Sequence, residues 1–194
     1  YSPLHFLNQT ASIIAGILLS IGVFWSVLPA RPRDSVLRIV ATIKEDLVRL
    51  CLHERIPRRS AFESLAYDRI NQLMPFAQRT GGRGEAMLIG SVAAATVGLE
   101  ILSLRNAQPR LPEPDRPVIA ASLKRLASLI LRPTGSGSIA AFAAATRAQA
   151  EALGKRDAAD PSLLGVAASL RVIAAAVEDN PRFFHSPRAA TRRS

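Results

Sequence analysis

The first thirty residues of the chain contain no Lys, Arg, Asp or Glu. Within them, residues 11–28 read ASIIAGILLSIGVFWSVL, and ten of these are Ile, Leu, Val or Phe. About 20 apolar residues in a helix suffice to cross the hydrocarbon core of a bilayer. At about −0.3 to −0.6 kcal/mol each, these ten residues contribute roughly −3 to −6 kcal/mol to the free energy of insertion, which the serines and glycines offset in part. We therefore predict that residues 1–30 form a transmembrane helix.

Two other interpretations of this apolar segment fit less well. A signal peptide carries basic residues before its apolar run and small residues at its cleavage site. Here the basic residues follow the run, and Leu28 stands where cleavage after Ala30 requires a small residue. A buried helix of a soluble protein normally has a charged exposed face, which this segment lacks. We therefore favour the transmembrane interpretation.

The residues at the end of the segment predict its orientation. Trp25 stands where an amphipathic ring suits the membrane interface, and Arg31 and Arg33 follow soon after. Because Lys and Arg accumulate on the cytoplasmic side of membrane helices, the C-terminal end of this helix is expected in the cytoplasm. Trp25, Arg31 and Arg33 are thus the predicted interface anchors, with membrane lipids as partners.

Small residues recur every four positions on the predicted helix, at Ser12, Gly16 and Ser20. Residues at this spacing share one face and allow a neighbouring helix to approach closely within lipid. Chance recurrence in a segment rich in Ala, Ser and Gly is the alternative explanation. We favour helix packing, with this span as the last one of a larger membrane domain. The opening Tyr1, in place of Met, also indicates a piece of a longer chain.

The rest of the chain shows the apolar periodicity of helices and no alternating strand pattern. The predicted fold class is all-α, with one transmembrane helix followed by a cytoplasmic bundle of about six helices. Residues 31–181 form the bundle, and residues 182–194 form a basic, disordered tail. The predicted helices cover about 34–54, 60–75, 85–106, 118–131, 138–153 and 161–179.

Particular residues mark the ends of these helices. Ser60 and Glu63 fit a capping box at the start of the second helix, which Pro75 should kink or end. Asp160 is expected to cap the last helix, because Pro161 suits its first position. Core-facing positions are predicted on the helices that end near residues 131 and 179. They are Ile119, Leu123, Leu126 and Ile130, and Leu163, Val166, Leu170, Ile173 and Val177.

Two further segments have unusual compositions. Residues 108–117 contain four prolines and predict an extended connection. Residues 85–106 are apolar enough to raise the question of a second span. Their uncharged run, 86–99, is short and rich in Gly and Ala, so it would insert poorly. We predict a central helix buried by its neighbours.

The sequence predicts no catalytic, cofactor-binding or metal site. It contains no CxxC or HExxH pattern, and its three histidines are far apart. Cys51, the single cysteine, lies in an apolar helical stripe and is interpreted as a small buried residue. We therefore expect no enzyme activity and no cofactor.

Three charged residues are candidates for an ion-pair cluster between helices. Asp68 and Arg69 belong to the densest polar cluster on an amphipathic helix, and Glu100 stands within an apolar helix. A ligand site or proton site is the alternative. We favour structural ion pairing, because a carboxylate in apolar surroundings normally requires a cationic partner.

The formal net charge of +10 lies entirely beyond residue 30, and Arg far outnumbers Lys. Such an excess fits either nucleic acid or an anionic membrane surface. The basic residues are scattered among the helices, and the domain is predicted to lie beside a membrane. The membrane surface is therefore the simpler partner, and no nucleic acid is expected.

The order of elements along the chain carries a resemblance to a known family. The elements are a last span, an arginine flank, an amphipathic helix, a polar cluster, a long helix of small residues and a proline-rich break. Their residues are Phe6-Leu7-Asn8 to Leu28-Pro29, then Arg31, Arg33 and Arg38, Glu45-Asp46-Leu47, Tyr67-Asp68-Arg69-Ile70, 102–105 and 108–117. This order resembles the C-terminal part of the fusaric acid resistance family up to about Leu131. That family comprises bacterial inner-membrane efflux proteins, including the aromatic carboxylic acid exporters.

The resemblance implies two membrane-helix bundles, each followed by a cytoplasmic helical region, with this chain as the final span and final region. It implies a multi-pass inner-membrane subunit that exports aromatic or other organic acids with a periplasmic adaptor (membrane fusion protein) and an outer-membrane channel. Other spans of the same transporter are further partners, as are other copies of the chain in a homo-oligomer. No transport residue is carried over. The competing interpretation is a membrane-anchored cytoplasmic interaction module without transport activity.

Overall fold

The computed structural model describes residues 12–20, 32–132, 136–156 and 160–185. All regular structure in these residues is helical, which confirms the predicted all-α class. The chain divides into two compact units, residues 1–35 and residues 36–194.

The described residues form eight α-helices and one short 3-10 helix. Helix α1 covers residues 12–20. The helices that follow are α2 (Pro32–Leu52), α3 (Arg59–Thr80), α4 (Gly82–Ala107), the 3-10 helix (Gln108–Arg110), α5 (Arg116–Leu131), α6 (Ser136–Arg156), α7 (Pro161–Asp179) and α8 (Pro181–His185).

Helix α4 lies at the centre of the second unit and packs against α3, α7 and α8. Its most buried side chains follow one another at intervals of three or four residues, so they form a single stripe along the helix. Helix α4 thus buries one stripe of its surface against its neighbours, and its assignment as a core helix stays a prediction. The fully buried residues of this stripe are Ala94, Val97, Ile101 and Leu104.

Two glycines let α4 approach its neighbours closely. A β-carbon added at Gly98 would lie 2.6 Å from Cε1 of Phe62 on α3. One added at Gly90 would lie 2.6 Å from Cδ2 of Phe183 on α8. Because both contacts are far shorter than van der Waals distance, the two aromatic rings pack directly on bare helix backbone.

The predicted inward faces of α5 and α7 are confirmed, since all nine of the predicted core positions are buried. The predicted start of α7 is also confirmed. Asp160 precedes the helix with Pro161 in its first turn, and the Asp160 carboxylate accepts a hydrogen bond from the Ser162 backbone N–H at 2.8 Å. This bond satisfies a donor that the helix end would otherwise leave without a partner.

The predicted start of α3 is wrong. The helix begins at Arg59, and its N-terminal cap residue, Arg58, makes no side-chain capping bond. Glu63 instead accepts a hydrogen bond from Nε of Arg59 at 2.9 Å. The predicted capping box with Ser60 therefore does not form, because an Arg four residues before Glu63 offers that carboxylate a charged partner on the same helix.

Helix α3 also continues through Pro75 to Thr80. A proline inside a helix leaves the carbonyl four residues earlier without its donor. Both Pro75 and Asn71, which carries that carbonyl, are exposed, so water can bond there. Exposure thus explains why the helix does not end at the proline.

The proline-rich connection is compact, not extended as predicted. It begins with the 3-10 helix and buries Leu111, which is 1% exposed. Arg116 holds the turn by donating from Nε to the Leu111 carbonyl at 2.9 Å and from Nη2 to the Pro109 carbonyl at 3.1 Å. The burial of Leu111 and the hydrogen bonds from Arg116 hold this segment in a compact turn, although its prolines indicated an extended chain.

The expectation of a single helix suited to span a membrane is wrong. By length and composition two described helices qualify, Gly84–Arg110 and Pro161–Asp179. Of the predicted span in residues 1–30, the structure describes only 12–20. The uncharged run 86–99 of the first helix is short for a span, but one or two charges do not prevent a long helix from being predominantly apolar.

The basic tail was expected from residue 182, whereas α8 continues to His185. Phe183 and Phe184 are 1% and 2% exposed, and their rings meet edge to face with centroids 5.4 Å apart. These two aromatic residues attach α8 to the core. Residues 186–194 lie outside the described part of the chain.

Candidate functional site

Helix α1 presents large apolar side chains on its exposed surface. A contiguous set of such side chains is uncommon on a water-facing protein surface and marks contact with lipid or with another protein. The surface of α1 is therefore of the kind that the membrane prediction requires. The residues concerned are Ile13, Ile14, Ile17, Leu18 and Leu19, which are 52 to 73% exposed.

The predicted packing residues Ser12, Gly16 and Ser20 all lie on α1, and its helical backbone places them on one face. A β-carbon added at Gly16 would meet nothing within 4 Å. This face thus has room for a neighbouring helix, and its packing in a membrane stays a prediction. Of the predicted interface anchors, Trp25 and Arg31 lie outside the described residues, and Arg33 is described only as backbone of α2.

One member of the predicted ion-pair cluster forms an ion pair between helices. Arg69 on α3 pairs with Asp46 on α2, and their side chains are only 15% and 16% exposed. Arg49 lies 3.9 Å from the same carboxylate but is itself largely exposed. Burial lowers the pKa of Arg69, which nevertheless stays charged at neutral pH because an arginine titrates far above that range.

The structure does not bring the other two members into that pair. Asp68 accepts a hydrogen bond from Gln72 on its own helix at 2.8 Å. Glu100 is half-buried on α4, and its charge contributes to a raised pKa of Arg59 after the larger effects of Glu63. The cluster of all three residues therefore stays a prediction.

Asp46 is the ion-pair partner of Arg69 that sequence reasoning missed. It stands beside Leu47 within the apolar stripe of α2, between Ile43 and Leu50, three and four residues away. An acidic residue inside an apolar helical stripe signals a buried, paired carboxylate. The sequence thus signals that Asp46 is paired, but it does not signal with which cation.

Arg105 near the end of α4 closes the C-terminal end of α2. Its guanidinium donates from Nη1 to the Cys51 carbonyl at 3.2 Å and from Nη2 to the His53 carbonyl at 2.6 Å. Longer bonds reach the Leu50 and Glu54 carbonyls. The last carbonyls of a helix lack intrahelical donors and carry partial negative charge, so a cation here is favourable.

Cys51 is buried beside this cap, as the sequence predicted. Burial raises the pKa of its thiol to about 12, although the charge of Arg105 acts in the opposite direction. Because only the thiolate is nucleophilic, we expect aromatic disulfide reagents at pH 8 to label the folded chain at least about 100-fold more slowly than the unfolded chain. A cysteine introduced at exposed Ala144 serves as the fast control. Equal labelling rates in folded and unfolded chain would contradict the burial of this thiol.

Lys44 on α2 is 7% exposed and lies over the Phe183 ring, with Nζ 5.4 Å from the ring centroid. Burial lowers the pKa of its ammonium group from 10.5 to about 8. Between these values the unfolded chain binds a proton that the folded chain lacks, so the free energy of unfolding rises as pH increases from about 8 to 10.5.

We expect Lys44→Met to remove that rise and to increase the free energy of unfolding near pH 7 by on the order of 2 kcal/mol. The loss of the cation–π contact acts in the opposite direction but is smaller. Chemical denaturation of both chains at pH 7 and pH 10 provides the measurement. Parallel pH dependence of the two chains would show that Lys44 is not the group responsible.

Among the described residues, no group of three or more His, Cys, Asp or Glu is placed to hold a metal ion. Comparisons with curated proteins and with solved structures found no match. The sequence model of the fusaric acid resistance protein family matches residues 1–184. The match starts in the apolar opening segment and includes α6 and α7, which the resemblance in element order does not cover. The chain belongs to the fusaric acid resistance protein family.

Proposed function

We propose that the chain is the C-terminal segment of a bacterial inner-membrane efflux subunit that exports aromatic or other organic acids. Family membership gives a membrane-associated, transport-related function. In this proposal residues 1–30 form the last span, and residues 31–181 lie in the cytoplasm and serve assembly or regulation. The partners are other spans of the transporter, a periplasmic adaptor and an outer-membrane channel. The observation that carries the proposal is a family match that includes the charge-free opening segment.

The distribution of charge supports this topology. Residues 1–30 carry no formal charge, and the +10 of the chain begins directly after them with Arg31 and Arg33. The exposed isoleucines and leucines of α1 require an apolar environment that water does not supply. A span ending at an arginine flank satisfies both features.

The two long apolar helices of the second unit are proposed as core helices. In each, 44% of the most apolar stretch is buried within the unit itself. One charged group of each helix also binds a neighbouring helix, since Arg105 of α4 donates to the Cys51 carbonyl of α2 and Glu178 of α7 pairs with Arg147 of α6. A helix whose charges bind its own domain fits a packed bundle better than a second span.

An accumulation assay tests the transport proposal. Cells that express the protein and carry its adaptor and channel should retain less radiolabelled benzoate than cells with an empty vector. The Gly16→Leu variant should lose this difference, because a large side chain prevents close helix approach at that face. Ile14→Leu is the matched control on another face of α1 and should behave as the parent. Equal accumulation with and without the protein would contradict benzoate export.

Labelling of single cysteines tests the topology. In a Cys51→Ala background, Ser2→Cys should react with a membrane-impermeant maleimide in spheroplasts, and Ala144→Cys should react only after permeabilisation. The reverse pattern would place residues 31–181 outside the cytoplasm and would overturn the orientation.

A second candidate function is a membrane-anchored interaction module without transport activity. It is favoured by large, exposed side chains on α3 and α4, among them Tyr67 at 68% and Ile89 at 53% exposure. Exposed apolar surface of this kind is common at protein interfaces. This function predicts the same cysteine labelling but no change in benzoate accumulation, so the two assays together separate the candidates.

A further inference from the structure

A cleft of about 350 Å³ opens where the end of α4 meets the start of α7. Its volume falls within the range of about 300 to 1,000 Å³ that is usual for small-molecule sites. Leu99, Leu102 and Val166 supply an aliphatic wall, and two arginines, Arg59 and Arg110, also line the cleft. Among the described residues that line it there is no Asp or Glu. The cleft thus combines an apolar surface with positive charge.

Ser169 supplies a second, independent observation. It lines the cleft and is 5% exposed, yet its hydroxyl makes no hydrogen bond to any described residue. The other buried hydroxyls, those of Ser91, Ser122 and Thr146, each donate to the carbonyl four residues earlier on their helix. A buried polar group without a partner is rare, because desolvation costs free energy that no bond restores. The hydroxyl of Ser169 is therefore available to a bound molecule.

The two arginines differ in their partners. Nε of Arg59 donates to Glu63 at 2.9 Å. Arg110 is exposed and forms no ion pair within the described parts of the chain. The nearby Asp160 carboxylate is bound to the N–H of Ser162 as the cap of α7 and does not line the cleft. The guanidinium of Arg110 can therefore donate hydrogen bonds to a bound ligand. A guanidinium matches a carboxylate in shape and charge.

We propose that this cleft binds a small organic anion whose carboxylate pairs with Arg110 and accepts a hydrogen bond from Ser169. The apolar body of the anion lies against Leu102 and Val166. The proposal adds a ligand site to the helical domain and does not depend on the direction or substrate of transport. A soluble anion is the proposed occupant, and the same chemistry on a lipid headgroup is distinguished by the experiment.

The test is calorimetric titration of the full chain in detergent, with detergent alone as the blank. Three probes separate the components of recognition. Hexanoate carries both the charge and the apolar body, acetate carries the charge alone, and 1-hexanol carries the body alone. We expect saturable binding of one hexanoate per chain, and binding of acetate and of 1-hexanol that is at least about tenfold weaker. Equal affinity for hexanoate and 1-hexanol would overturn the role of the charge.

Variants locate the site. Arg110→Gln and Ser169→Ala should each weaken hexanoate binding about tenfold, since each removes one hydrogen bond to a charged group. Arg171→Gln, which removes an exposed arginine on the same helix as Ser169, should leave the affinity unchanged. Circular dichroism verifies that each variant is folded. Unchanged affinity in Arg110→Gln would overturn the proposal. So would an absence of saturable binding combined with Arg110-dependent association with phosphatidylglycerol vesicles, which would assign the charge to a lipid surface.

Discussion

Replacing Asp46 with Leu is expected to lower the free energy of unfolding by about 3 kcal/mol. The substitution leaves the guanidinium of Arg69, only 15% exposed, without the carboxylate that it pairs with. Removal of one partner of a fully buried pair costs about 3 to 5 kcal/mol, and the partial exposure here favours the lower end of that range. Chemical denaturation of the full chain in detergent, followed by far-ultraviolet circular dichroism, measures the change.

The double variant Asp46→Leu, Arg69→Met tests whether the loss of stability comes from the unpaired charge or from altered packing. Two apolar side chains of similar volume avoid the desolvation of both charges, so we expect stability within about 1 kcal/mol of the parent. Arg49→Gln is the exposed control and should change stability by less than about 0.5 kcal/mol. A double variant no more stable than Asp46→Leu would show that the loss arises from altered packing and not from the stranded charge.

Replacing Gly90 with Ala is expected to lower the free energy of unfolding by about 2 kcal/mol. The added β-carbon would overlap the nearest ring atoms of Phe183 and also its Cβ, which side-chain rotation cannot move away. In Gly98→Ala the overlapping atoms lie at the far end of the Phe62 ring, so we expect a smaller loss. The same denaturation experiment ranks these variants.

Gly165→Ala is the matched control for a glycine within a helix. A β-carbon there meets nothing within 4 Å, and alanine favours the helix over glycine by about 1 kcal/mol. We therefore expect Gly165→Ala to raise stability by about 0.5 to 1 kcal/mol. If Gly90→Ala also raised stability, the close contact between α4 and α8 would be refuted.

Periodicity was sufficient to predict the helices whose faces are set by core packing alone. On α7 the inward positions and the Asp160 cap were predicted correctly, because both depend on residues close together in sequence. The start of α3 was not, because Glu63 fits Ser60 in one motif and Arg59 in another, and local sequence does not decide between them. Whether Pro75 ends a helix depends on hydration of a carbonyl, which is a property of the folded surface.

The candidate sites also differ in whether the local sequence could predict them. The exposed apolar face of α1 could be predicted, since it lies within nine consecutive residues. The partner of Arg69 comes from 23 positions earlier, and the walls of the cleft come from α3, α4 and α7. Contacts between such distant residues depend on how the helices pack, which no single periodic stripe specifies. Sequence reasoning therefore found Arg69 but neither its partner nor the cleft.

The Arg105 contacts have a consequence for synthesis of the chain. Residues 50–54 contain no glycine or asparagine that could terminate α2 locally, so its final carbonyls depend on a side chain emerging some fifty residues later. We therefore expect the last turn of α2 to stay hydrated and to fray until that arginine has left the ribosome and α4 has docked. On this expectation α2 is completed only after α4.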